Sequence, residues 1–157
     1  MRALISALFL TALLTGSAAA KSPSPCDVAT RAELARVLGG KPVKPDPSTI
    51  GEETAPSCIW TTLSGARIKI EIWHGDELSV VAEKSGWDYF VTRRKEALKF
   101  GGAKLASIGE AAFRTKFAGE RSGEIGVLKD HRFFVFAFEG VPYARALTFT
   151  KAVVRRS

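Results

Sequence analysis

From Arg67 to Trp73 the chain alternates between polar and apolar positions, with Ile68, Ile70 and Ile72 on one side and Arg67, Lys69 and Glu71 on the other. A period of two is that of a half-buried strand. The preceding SCIWTTL is rich in β-branched and aromatic residues, and Ser64-Gly65 supplies a tight turn, so the two segments predict a hairpin. Trp73 falls in phase with Arg67 and Lys69, away from the isoleucines. That phase predicts an exposed indole beside two cations, the chemistry of a protein-interface anchor or a sugar-stacking platform.

Elsewhere the period lengthens. In TRAELARVLGG, Thr30 and Glu33 form a capping box, Leu34, Val37 and Leu38 share a face, and Gly39-Gly40 is a stop, which predicts a helix over Arg31–Leu38. Asp76–Lys84 reads as one short helix. Trp87–Lys99 reads as a longer one, with Trp87, Phe90, Val91, Ala97 and Leu98 turned inward and Gly101-Gly102 ending it. KPVKPDPSTIGEETAPS carries four prolines and reads as a loop. EAAFRTKF alternates as a strand, and GEIGVLKDHRFFVFAFEG reads as a hairpin turning at Asp130-His131. RFFVFAFE is apolar on both sides, as in a central strand covered on both faces. From Pro142 a helical pattern with Ala144, Leu147, Lys151 and Val154 closes the chain. Hairpins and short links together predict an α+β domain: an antiparallel sheet of about five strands with helices packed mainly on one face.

The first 20 residues stand apart from this pattern. Arg2, an apolar run from Ala3 to Leu14 and the small residues Ala18-Ala19-Ala20 have the arrangement of a secretory signal peptide. The run is about a dozen residues, against the roughly 20 needed to span a bilayer. The expectation is a signal peptide over 1–20 and a single domain over 21–157, periplasmic or secreted, with no transmembrane segment after cleavage. The two cysteines are open to four roles: lipid anchor, free thiol, metal ligand or disulfide. Cys26 lies six residues beyond the expected cut, where a lipidation cysteine would follow it directly. In an oxidising compartment two cysteines in one small domain most simply pair with each other. A Cys26–Cys58 bond closes a loop of about 33 residues, worth roughly 3–4 kcal/mol on the chain-entropy account.

Three short stretches carry a resemblance. CDVATRAELARVLGGKPV, SCIWTT and SIGEAAF together resemble a broad family of small exported bacterial domains. Its pattern is a cysteine before a helix that ends in Leu-Gly-x-Pro-Val, a second cysteine with an aromatic on the next strand, and a Gly-Asp/Glu-Ala turn. Many of its members are lipoproteins, and the chain departs from them in lacking the lipidation cysteine. The resemblance implies an exported α+β domain with a Cys26–Cys58 bridge and supplies no catalytic residues.

Charge and chemistry narrow the function. The whole chain carries +7, and +6 remains without Arg2. Such a balance favours anionic neighbours. The cations are interspersed with acids, and export removes nucleic acid as a partner. There is no G-x-S-x-G, H-E-x-x-H, P-loop or dinucleotide fingerprint in the sequence. His74, His131 and Glu110 each sit where a turn or a strand entry is expected, and read as structural. No cofactor and no metal site is expected. The sequence therefore predicts an exported, non-catalytic cell-envelope domain that binds another macromolecule, of which an inhibitor or immunity protein is one version, with Arg67, Lys69 and Trp73 as candidate binding residues. The alternatives are a module for an anionic envelope component and, further off, a hydrolase.

Overall fold

The computed structural model describes residues 24–43, 45, 56–74 and 85–157, with the side chain of His74 left out. The leader over 1–20, the short helix expected at Asp76–Lys84 and most of the proline-rich loop lie outside the described residues. The elements run α1 (Arg31–Leu38), β1 (Ser57–Thr61), β2 (Arg67–His74), α2 (Gly86–Lys99), β3 (Ala103–Leu105), β4 (Ala111–Arg114), β5 (Gly123–Lys129), β6 (Arg132–Glu139) and α3 (Tyr143–Arg156). The strands form one sheet in the order β1-β2-β6-β5-β4-β3, every neighbouring pair antiparallel. This is the α+β domain expected, with six strands in place of about five. The added strand, β3, is a three-residue edge.

Local chemistry explains most boundaries. Both halves of the Thr30–Glu33 capping box form, and Gly39 closes α1 at φ 71°. Ser85 and Asp88 make a second capping box at the start of α2. Asp130 and His131 both take positive φ, 49° and 59°, in the turn that joins β5 to β6. The Cys26–Cys58 disulfide is present, with a Cα–Cα distance of 5.2 Å, and ties the lead into α1 to β1.

The sheet is buried on both faces. On one, Ile68, Ile70, Ile72, Phe134, Phe136 and Phe138 pack with residues of α1 and α3, among them Leu34, Val37, Ala146, Phe149 and Val153. On the other, Trp73, Phe113, Leu128, Phe133 and Val135 pack with Phe90 and Ala97 of α2. Among the described residues α1 and α3 thus share a face, and α2 takes the opposite one. Strand β6 lies between β2 and β5 and contributes to both cores, which is why its sequence is apolar in both phases. Gly126 on β5 makes room under α2: a methyl group there would run into the ring of Phe113. Phe90 fills the space above, 5.7 Å from Phe113 and 5.3 Å, edge-on, from Phe133.

Candidate interaction surface around the second helix

The alternation along β2 holds, but the exposure expected from it is corrected. Trp73 lies with Arg67 and Lys69 opposite the isoleucines, yet only 8 % of it reaches solvent. Helix α2 covers it. The indole stacks on Tyr89 with centroids 4.3 Å apart and planes inclined by 19°, and its N–H donates to Glu71 Oε2 at 3.3 Å. The cause is tertiary: Phe90 and Ala97 need a partner surface, and the face that carries Phe133 and Phe113 supplies it. A period of two assigns side chains to faces without saying which face a later helix will cover.

Cover decreases along β2 away from Trp73. Lys69 is part-buried and bonds Glu71 Oε1 at 2.5 Å, while Arg67 is more open and reaches Glu139 at 3.7 Å. Four residues of strand put Lys69 about 13 Å from Trp73. The three candidate residues therefore share a face without converging on one point, and each of the two cations is matched by a carboxylate.

A polar network lies alongside. Arg93 of α2 pairs with Glu124 of β5, and its guanidinium lies 6.0 Å from the centroid of the Tyr89 ring. The Glu124 amide donates to Thr115 Oγ1 at 2.8 Å, and its Oε1 is buried with no hydrogen-bond partner among the described residues. Burial pushes the Glu124 carboxyl above its ordinary range, and the Arg93 charge offsets this only in part. Next to this pair is a half-open cleft of about 280 Å³, bordered by Glu96, Phe100, Thr115 and Lys116.

The outer surface of α2 departs from the expectation drawn from the sequence. Trp87, Val91 and Leu98, expected inward, are 52 %, 46 % and 37 % exposed, and Phe100 just past the helix is 69 % exposed. The first three recur at intervals of four and seven residues and so form one stripe. Arg94 and Lys95 belong to the same helix, and the Lys99 ammonium lies 5.4 Å from the centroid of the Phe100 ring. The two tryptophans have exchanged their expected places. Helix α2 carries two adjacent apolar stripes, Phe90/Ala97 and Trp87/Val91/Leu98, and one sheet face buries only the first. That surplus is the signal from which the surface was available in the sequence.

The other candidate groups are structural in position. Glu110 Oε1 accepts the Asp130 N–H at 2.7 Å and holds the β5–β6 turn, where His131 also sits. Among the described residues there is no free cysteine and no group of three or more His, Cys, Asp or Glu side chains placed to hold a metal. No helix among them is long and apolar enough to cross a membrane. Compared with known proteins, the chain matches no family model, no curated protein and no solved structure.

Proposed function

We propose that the protein is an exported, non-catalytic domain of the cell envelope, periplasmic or secreted, that binds another macromolecule through the outer surface of α2. The observation that carries this reading is the exposed stripe of Trp87, Val91 and Leu98 on a helix whose adjacent stripe, Phe90 and Ala97, is already packed into a core. Tryptophan and arginine are the residues most enriched where binding energy concentrates, and scattered single apolar residues are otherwise the norm for a surface. The charge around the stripe bears on the partner: Arg94, Lys95 and Lys99 outnumber Asp88 and Glu96 on the outer part of this helix and fit a protein that offers an apolar pocket with an acidic rim. Export is supported by the leader pattern and by the paired cysteines.

The test is site-specific photo-crosslinking in intact cells. A photoreactive residue at position 87 or 98 should give one discrete adduct of higher mass. The same group at Leu63, which is 97 % exposed at the β1–β2 turn, should give none. Equal labelling at all three positions, or none at any, would defeat the proposal.

A further inference from the structure

On the opposite side of the sheet from α2, the loop between β3 and β4, the end of β5 and the last turns of α3 enclose a half-open pocket of about 290 Å³. Its polar lining is Ser107, Lys129, Lys151 and Arg155, over a floor that includes Ile108 and Val154, both nearly inaccessible. Among the described residues no acidic side chain lines it. We infer that this pocket is a binding site for a phosphate group, held by Lys129, Lys151 and Arg155 with the Ser107 hydroxyl as a further donor.

The argument begins with charge. Lys151 and Arg155 stand four residues apart on one face of α3, a spacing at which like charges repel by a few tenths of a kcal/mol. Among the described residues neither has a carboxylate within ion-pair distance. Lys129 adds a third cation from another element. Two acids stand near: Asp130, 3.7 Å from the Lys129 ammonium and itself largely exposed, and Glu110, one of whose oxygens takes the Asp130 N–H. Even with both acids counted, the three cations leave an excess of positive charge, which favours an anion.

Two parts of the pocket are held in place: the loop that carries Ser107 and the ammonium of Lys129. Gly109 sits at φ 57°, and a Cβ there would collide with the Leu128 carbonyl, so the loop lies directly on β5. Ser107 takes φ 63°, which is uncommon for a residue with a side chain. The Lys129 ammonium is fixed by a 2.8 Å bond to the Val154 carbonyl. That bond matters electrostatically. The C-terminus of a helix ordinarily repels anions, and here a cation occupies one of its last carbonyls.

The competing account is that the three cations do nothing more than complement the end of α3. The two accounts differ in what substitution changes. In the first arm, inorganic phosphate is titrated into the oxidised protein at low ionic strength, with amide shifts followed by NMR. Saturable shifts confined to 107–110, 129 and 151–156 are expected. They should weaken about tenfold or more in a Lys151→Gln/Arg155→Gln variant whose melting temperature is unchanged. In the second arm, the protein is sedimented with phosphatidylglycerol vesicles and with phosphatidylcholine vesicles. Retention on the first alone, lost in the same variant, assigns the phosphate to a lipid headgroup. Response to free phosphate without vesicle binding assigns it to a soluble or polymeric ester. If neither arm responds, or if the variant binds as tightly as the parent, the site is refuted and the cations serve the helix alone. The α2 surface shares none of these residues, so either outcome leaves the proposed function to be judged separately.

Discussion

Replacing each of two tryptophans by alanine separates the packing described above from the arrangement that the sequence suggests. Trp73 is 8 % exposed and Trp87 is 52 % exposed. A fully buried indole removes up to about 250 Å² from water, which at about 25 cal/mol per Å² is a transfer contribution of several kcal/mol. The stack on Tyr89 adds about 1 kcal/mol, and relaxation of the surroundings recovers part of the total. Trp73→Ala should therefore cost about 4 kcal/mol, inside the range of about 3–5 kcal/mol for truncating a buried aromatic. Trp87 keeps half its surface in water, and alanine is the better helix former by about half a kcal/mol. Trp87→Ala should cost about 1 kcal/mol. In a domain of this size each kcal/mol moves the melting temperature by about 3–4 °C, so the expected drops are about 12–16 °C and about 3–4 °C. Thermal unfolding followed by circular dichroism on oxidised protein measures both. Equal drops, or a larger drop for Trp87→Ala, would refute the placement of α2 over Trp73.

Two further predictions concern the opposite face. Cys26→Ala/Cys58→Ala should lower stability by about 3–4 kcal/mol in urea unfolding, since the bond spans a separation of 32 residues, and a loss below about 1 kcal/mol would contradict the role given to it. Arg156→Met removes the guanidinium that clasps Glu33 and joins the end of α3 to α1. Burial works against the Glu33 charge, but Arg156 and the Thr30 hydrogen bonds outweigh it and hold the carboxyl below its ordinary 4.5. The pair's contribution is therefore full above pH 4.5 and is lost as pH falls through the lowered native value. Arg156 is about half exposed, so parent and variant should differ by about 1 kcal/mol or less at pH 7 and converge in acid, and a gap independent of pH would contradict the assignment.

How much of this was readable in the sequence depends on whether a feature is local. The capping box at Thr30, the left-handed Gly39, the Asp130-His131 turn and the alternation of β2 each rest on a few adjacent residues, and each appears where expected. Strand β3 does not: three residues are too few to show a period, and pairing with β4 defines it. The phase of α2 was ambiguous for a different reason. Both of its apolar stripes satisfy helical periodicity, and only the fit of Phe90 against Phe113 and Phe133, with Gly126 beneath, selects between them. That selection decided which tryptophan was buried. Arg67, Lys69 and Trp73 were correctly assigned to one face, while the cover over that face comes from a helix about 15 residues later. The basic pocket was out of reach, because Ser107, Lys129 and the Lys151/Arg155 pair come from three separate parts of the chain and only that last pair shows a spacing.

Binding of a partner at the exposed stripe on α2 is the proposal on which the function rests. The most direct measurement is the affinity of the protein captured by crosslinking at position 87, determined by calorimetry for the parent chain and for Trp87→Ala. A loss of about 2 kcal/mol or more, roughly thirtyfold in Kd, is predicted, with the melting temperature within about 4 °C of the parent. An unchanged Kd in a variant that remains folded would contradict it.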